Sequence, residues 1–491
     1  MRMQSSRRDF FKLAGGAVAA ATLGEALIES VSAFAAETQR SASSDPALHL
    51  LNRLSYGVLP EDMARLSEIG LAAYLEEQLA PETLDDSGMD DILRQLPILA
   101  MDRRTIFSLG FDGRVYNSVI QGMVFRAAWS RRQLYERMVE FWTDHFNIPA
   151  EDLVHDVAVL HHAVIRRHAL GSFRDLVIGT AQSPAMLYYL DQTYSDKDHP
   201  NENYARVDGG YTETDVKEAA RALTGWTVHD GTNTGFHFNP EMHDSEAKTI
   251  LGHDMPAGRG IEDGLHLISI VVNHHETARF LCKKLCIRFV SDTPPESLVE
   301  SATQIWIDNA GEVIPVLRHI FQSDEFAQSA GQKLRRPLDF IVGALRITHT
   351  RFSNPWQMHE MLKDLAQTPY GWTSPDGYPD TATAWLSSSG LLARWNAAMS
   401  LTHDAYSDPE SGLSNRLDQL IDSPQTVQDL IDTVATRVFG APDLSDAEQA
   451  SYVAFVGDGA GASASVTPKI IAGKLGMLFG LMLASPRYQW R

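Results

Sequence analysis

From residue 45 onward, apolar residues recur at three- and four-residue intervals along almost the whole chain, the spacing of one helix face. Asp45-Pro46 opens the pattern as an N-cap followed by proline at the first helical position. Leu48, Leu51 and Leu54 continue it, and Gly57 stops it. Pro60-Glu61-Asp62 starts a second helix, and Leu71 to Leu79 form a third. Val119, Met123, Ala127, Leu134, Met138, Phe141 and Trp142 predict one long helix from about Val115 to Phe146. Further helices are expected near 153–170, 172–182, 213–224, 261–272, 275–290, 296–308, 312–323, 335–349, 356–366, 384–401, 411–422, 425–438, 445–456 and 467–485. Strand character is confined to Trp226–Leu251, where Thr227-Val228-His229 and Gly235-Phe236-His237-Phe238 flank the turn signal Asp230-Gly231. The pattern predicts an all-α, multi-helix globular protein with a small β-hairpin excursion near 226–251, and one large helical domain over 45–491.

The first 35 residues are set apart from that domain. Ser6-Arg7-Arg8-Asp9-Phe10-Phe11-Lys12, followed by the uncharged run Leu13 to Leu23, reads as a twin-arginine export signal. The run is about half the length that crosses a bilayer, so no transmembrane anchor is expected in the mature chain. Ala33-Phe34-Ala35 gives a small-x-small cleavage pattern, and residues 36–44 form a polar linker. The expected location is periplasmic or secreted.

Removing four basic and three acidic residues with that signal takes the formal charge from −21 to −22. A surface of that sign repels phosphate backbones, which excludes nucleic acid as the main partner. Cys282 and Cys286 lie four residues apart on one helix face, a poor geometry for a disulfide, and read as buried thiols. A short motif recurs at helix ends as Gln182-Ser183-Pro184, Gln322-Ser323-Asp324 and Ala484-Ser485-Pro486. The serine ends one helix and caps the next.

Candidate chemistry gathers in three places. His145 follows Trp142 by three positions near the end of the long helix, where it serves either as general base or metal ligand, or as a helix C-cap. Asp191 to Tyr211 is a polar stretch without apolar periodicity, containing Asp191, Asp196, Asp198, Asn201, Glu202 and Arg206. Asp191, Asp196, Asp198 and Asn201 are hard oxygen ligands suited to calcium or another divalent ion; the same groups also pin loops by hydrogen bonds. His243, with Asp244 and with Lys248 four residues beyond that aspartate, offers a second acid–base set. His274-His275-Glu276 reads as a cap. Zincin, α/β-hydrolase, P-loop and dinucleotide-binding motifs are absent. Trp142, Trp226, Trp372, Trp385 and Trp395 either line a sugar cleft or fill the core.

Several blocks in order resemble the bacterial family called domain of unknown function 1800. They include His49-Leu50-Leu51-Asn52-Arg53-Leu54-Ser55-Tyr56-Gly57, Phe141-Trp142-Thr143-Asp144-His145-Phe146, Pro200-Asn201-Glu202-Asn203-Tyr204-Ala205-Arg206, Pro375-Asp376-Gly377-Tyr378-Pro379 and the closing Ser485–Arg491. The resemblance implies export and work in the envelope, with no particular reaction or cofactor attached. About nine residues that the family carries after Arg206, roughly two and a half helical turns, are missing here. Two functions are therefore expected: a metal-assisted hydrolase using His145, Glu202, Arg206 and His243 on an envelope substrate, or a non-catalytic binding or assembly protein, degenerate in that segment. The loop is expected to be structural, with Glu202 buried in a fork with Arg206 or Arg221, so that Glu202→Gln lowers thermal stability.

Overall fold

The computed structural model describes residues 45–101, 103–109, 113–150, 155–204, 212–229, 235–352, 355–408 and 411–491. The expected export signal, Arg206 and the tip of the first hairpin lie outside them. The described chain is mainly helical, with three two-stranded antiparallel sheets as its only sheets. Its described residues fall into two compact units, one of those up to 69 with 330–357 and 382–491, the other of those in 70–329 and 358–381.

In the first unit the helix Pro337–Thr348 is buried along its whole length. Two arginines beside it bind the opening segment of the chain. Arg335 donates to the carbonyls of Tyr56 and Tyr488 and to Asn52 Oδ1, while Arg346 donates to the Gly57 carbonyl and to Asp62. An antiparallel bridge between Leu334 and Trp490 brings in the end of the chain. The opening and closing blocks singled out above thus meet beside one helix.

Two expectations change in this unit. The helix Ser388–Met399 runs on into a π turn, Ser400–Asp404. Residues 411–422 are not helical: Leu413–Ser414 pairs with Arg351–Phe352, and Leu417–Gln419 is a single 3-10 turn. The cause is tertiary. Asn415 Nδ2 donates to the Leu401 carbonyl at 2.9 Å and also reaches that of Thr402, which ties this stretch to the π turn.

In the second unit the stretch 115–146 is two helices, Gly113–Trp129 and Gln133–His145. Asp86 accepts from Ser130 Oγ and the Arg131 amide, and Gln133 Nε2 donates to the carbonyls of Ala127 and Ser130. Side chains there replace the backbone bonds of a continuous helix. The helices Phe173–Ala181 and Val313–Phe321 start side by side, joined by Phe173 N to Gly311 O and Val313 N to Gly171 O. Cys282 and Cys286 are buried free thiols on the helix His275–Phe289, which His274 caps. The expected hairpin pairs Trp226–Val228 with Phe236–Phe238. A second, unanticipated hairpin pairs Lys248–Ile250 with His253–Met255 about Leu251 and Gly252, both at positive φ. Of the three recurring serines, Ser323 and Ser485 accept the N3 amide of the following helix, while Ser183 Oγ has no such bond.

Gly343 sits where Pro337–Thr348 crosses the opening segment. A Cβ there would lie 2.5 Å from both the Tyr56 carbonyl and the Tyr488 hydroxyl. Neither is a flexible chain end in open space, so Gly343→Ala forces the crossing apart. The expected cost is about 1–3 kcal/mol, read as a lowered midpoint in chemical unfolding.

Candidate active site

The helix Gln133–His145 ends in a cluster of rings. Trp142 is fully buried, with its Nε1–H donated to the Ala169 carbonyl at 2.9 Å. Trp142, Phe146, Phe173 and Phe280 all stand within 6.4 Å of the His145 ring, centroid to centroid. His145 is deep in this cluster, yet one edge reaches the surface. Its Nδ1 lies 3.1 Å from Nζ of Lys284, which is carried by the cysteine helix. Burial among rings, and then the charge of Lys284, push the imidazole well below its usual range, so it is neutral at neutral pH.

A loop from the far end of the unit's sequence closes over this helix end. Asn147 Nδ2 donates to the carbonyls of Trp372 and Ser374, both at 2.8 Å, and Tyr189 donates to that of Thr373. Gly377, at φ 73°, lies against Asp144: a Cβ would stand 1.9 Å from the Asp144 carbonyl oxygen. The approach admits only glycine. Next to it, Asp376 is exposed and accepts from Trp372 Nε1 at 2.8 Å. That bond, aided by the charge of Lys284, holds the carboxyl below its ordinary range.

Behind the site, two buried imidazoles complete the frame. His161 Nε2 bonds the Phe146 carbonyl at 3.0 Å, and His162 Nδ1 meets the Tyr370 hydroxyl at 3.2 Å. Tyr370 takes a left-handed φ of 59°, unusual for a bulky residue, and its carbonyl accepts from the Ala150 amide. Burial lowers both histidines, His161 to about 4. Glu140 pairs with fully buried Arg288, which also reaches Asp380 at 3.3 Å.

The other described candidates have contacts of their own. Asp196 Oδ1 accepts from the amides of Asp198 and His199, and Asn201 donates to the Leu190 carbonyl while accepting from the Asn203 amide. Asp191 is exposed at a left-handed turn, and Asp198 is exposed. Among the described residues there is no group of three His, Cys, Asp or Glu side chains suited to a metal ion.

Glu202 is exposed, and Arg221 is forked instead with Glu218 and Asp244. The expected burial of Glu202 against Arg221 is therefore corrected, because nearer carboxylates fill the guanidinium. With it goes the reason for Glu202→Gln to destabilise.

His243 is buried, with Nε2 3.4 Å from Asp263, which also holds Lys248 at 2.8 Å and Arg259 at 2.9 Å. Its neighbour Asp244 serves Arg221. The side chains of His243 and Asp244 thus pair with different partners, Asp263 and Arg221, and do not act as a pair. Of the five tryptophans, Trp142, Trp226 and Trp385 are core, while Trp372 and Trp395 are half-buried.

Lys284, Asp376, His161, His162, Tyr370 and Asp263 were not singled out by sequence. Lys284 carried one signal, a charge set between two apolar-facing cysteines, and Asp376 another, its place in the block Pro375-Asp376-Gly377-Tyr378-Pro379 quoted above.

A family model described as "Protein of unknown function (DUF1800)" matches residues 49–490, and the chain belongs to that family. No curated protein and no solved structure matches it.

His145, His161 and His162 are neutral in the fold, whereas in the unfolded chain they take up protons below about pH 6.5. The folded state then binds fewer protons, so stability is complete above that pH and falls as pH drops toward about 4, where His161 itself titrates. Within the window each imidazole costs about 1.4 kcal/mol per pH unit. The thermal midpoint of the mature protein is expected to fall from about pH 7.5 to about pH 5, and less steeply in His161→Gln than in the wild type. Equal slopes for the two proteins would contradict this.

Proposed function

We propose that the chain is an exported envelope enzyme, hydrolytic in type, whose centre is His145 with Lys284 and Asp376. One observation carries this reading: a neutral imidazole with an edge at the surface lies 3.1 Å from an amino group that is also coupled to an ionised loop carboxylate. Titratable groups driven apart in this way at one partly open place are the usual setting of acid–base chemistry. In such a hydrolysis Asp376 takes a proton from water as the water oxygen bonds to the substrate carbon. The carbonyl electron pair moves onto an oxygen facing His145 and Lys284. When it returns, the leaving group departs and takes the proton from Asp376. A metal-assisted route at Asp191, Asp196, Asp198 and Asn201 receives no support from the loop, whose Asp196 and Asn201 side chains hold its own backbone.

The test is release of soluble fragments from isolated envelope preparations, read by mass spectrometry. His145→Gln and Asp376→Asn are each expected to lower release by about 10²-fold or more, while Glu202→Gln keeps it. Wild-type protein that releases no more than His145→Gln sinks the enzyme reading and leaves the binding or assembly role. Export through the twin-arginine route is proposed from residues 1–35. Arg7→Lys with Arg8→Lys is expected to trap precursor in the cytoplasm; an unchanged periplasmic yield overturns that route.

A further inference from the structure

We infer that Lys284 fixes the tautomer of His145, donating to Nδ1 so that the ring offers Nε2–H outward as a hydrogen-bond donor and does not serve as the base. The inference deepens the proposed function and takes from it only the identity of the site. It begins with the 3.1 Å contact between Lys284 Nζ and His145 Nδ1. An ammonium group has three donors and no lone pair. Were Nδ1 protonated, two donors would face each other with no acceptor between them.

The surroundings of Lys284 are those of a cation. Its Nζ lies 5.6 Å from the Phe280 ring centre and 5.9 Å from that of Phe141, and Asp376 feels its charge. Lys284 is the charge that acts on the ring, Asp376 on the loop feels that of Lys284, and Glu140 and Asp380 are engaged with Arg288. Nε2 makes no hydrogen bond to any described residue. A neutral imidazole so held polarises an oxygen without giving up its proton, which suits a carbonyl oxygen that gains charge. Lys284 is then a positioning residue, and proton removal falls to Asp376.

The full mature chain labelled with 15N-histidine decides this without any substrate, His145 being assigned by its loss in His145→Gln. The expected spectrum shows His145 Nδ1 unprotonated and Nε2 protonated, unchanged from about pH 8 to about pH 5.5, below the ordinary histidine midpoint. An Nδ1–H tautomer, or an imidazolium titrating near about pH 6.5, overturns the inference. Lys284→Met is expected to give a mixture of tautomers, and Lys284→Arg to restore Nε2–H. A methionine variant that keeps the pure Nε2–H form also overturns it. The wild-type spectrum stands alone if that variant does not fold. An inactive protein with this tautomer loses the enzyme reading and keeps the inference; an active one with Nδ1–H does the reverse.

Discussion

The close approach of Gly377 to Asp144 is the constraint on which the candidate site of the second unit depends, because it gathers distant stretches of chain at the end of the helix Gln133–His145. The Phe146 amide turns back to the Trp142 carbonyl, His161 reaches the Phe146 carbonyl, and Gly377 lies flat against Asp144. Each of these contacts brings a different stretch of chain to the same place. The glycine matters most, because any side chain at 377 would hold the loop away and take Asp376 and Trp372 with it. The position of Asp376 beside the end of that helix follows from the close approach.

Two histidines that look alike in sequence have opposite settings. His243 is enclosed with Asp263, whose one buried carboxylate also holds Lys248 and Arg259. Such a network breaks expensively when one member is removed and offers nothing to a ligand. His145 is surrounded by rings and one cation, which keep it neutral while an edge stays at the surface. Environment, and not residue type, separates a structural histidine from a candidate for chemistry.

The polar loop teaches the same lesson from the other side. Its lack of apolar periodicity drew attention to Asp196 and Asn201, yet these side chains bond the amides and carbonyls of their own loop. A loop without regular structure must satisfy its backbone somehow, and Asx side chains are the cheapest means. Glu202, spared that duty, is exposed, and Arg221, one of the two arginines expected to hold it, is already taken.

The sequence alone determined the helical class, most helix positions, the first hairpin, the buried thiols and the serine caps at Ser323 and Ser485. All of these rest on backbone hydrogen bonding and one-sided burial, which repeat every few residues and so leave a readable period. It also marked His145, through its place three residues after a core tryptophan. Only the tertiary structure decided the rest. It broke 115–146 at Ser130 through Asp86, unwound 411–422 through Asn415, and joined His145 to Lys284 across 139 residues. Those pairings carry no period along the chain, because they depend on which surfaces meet after the helices have packed.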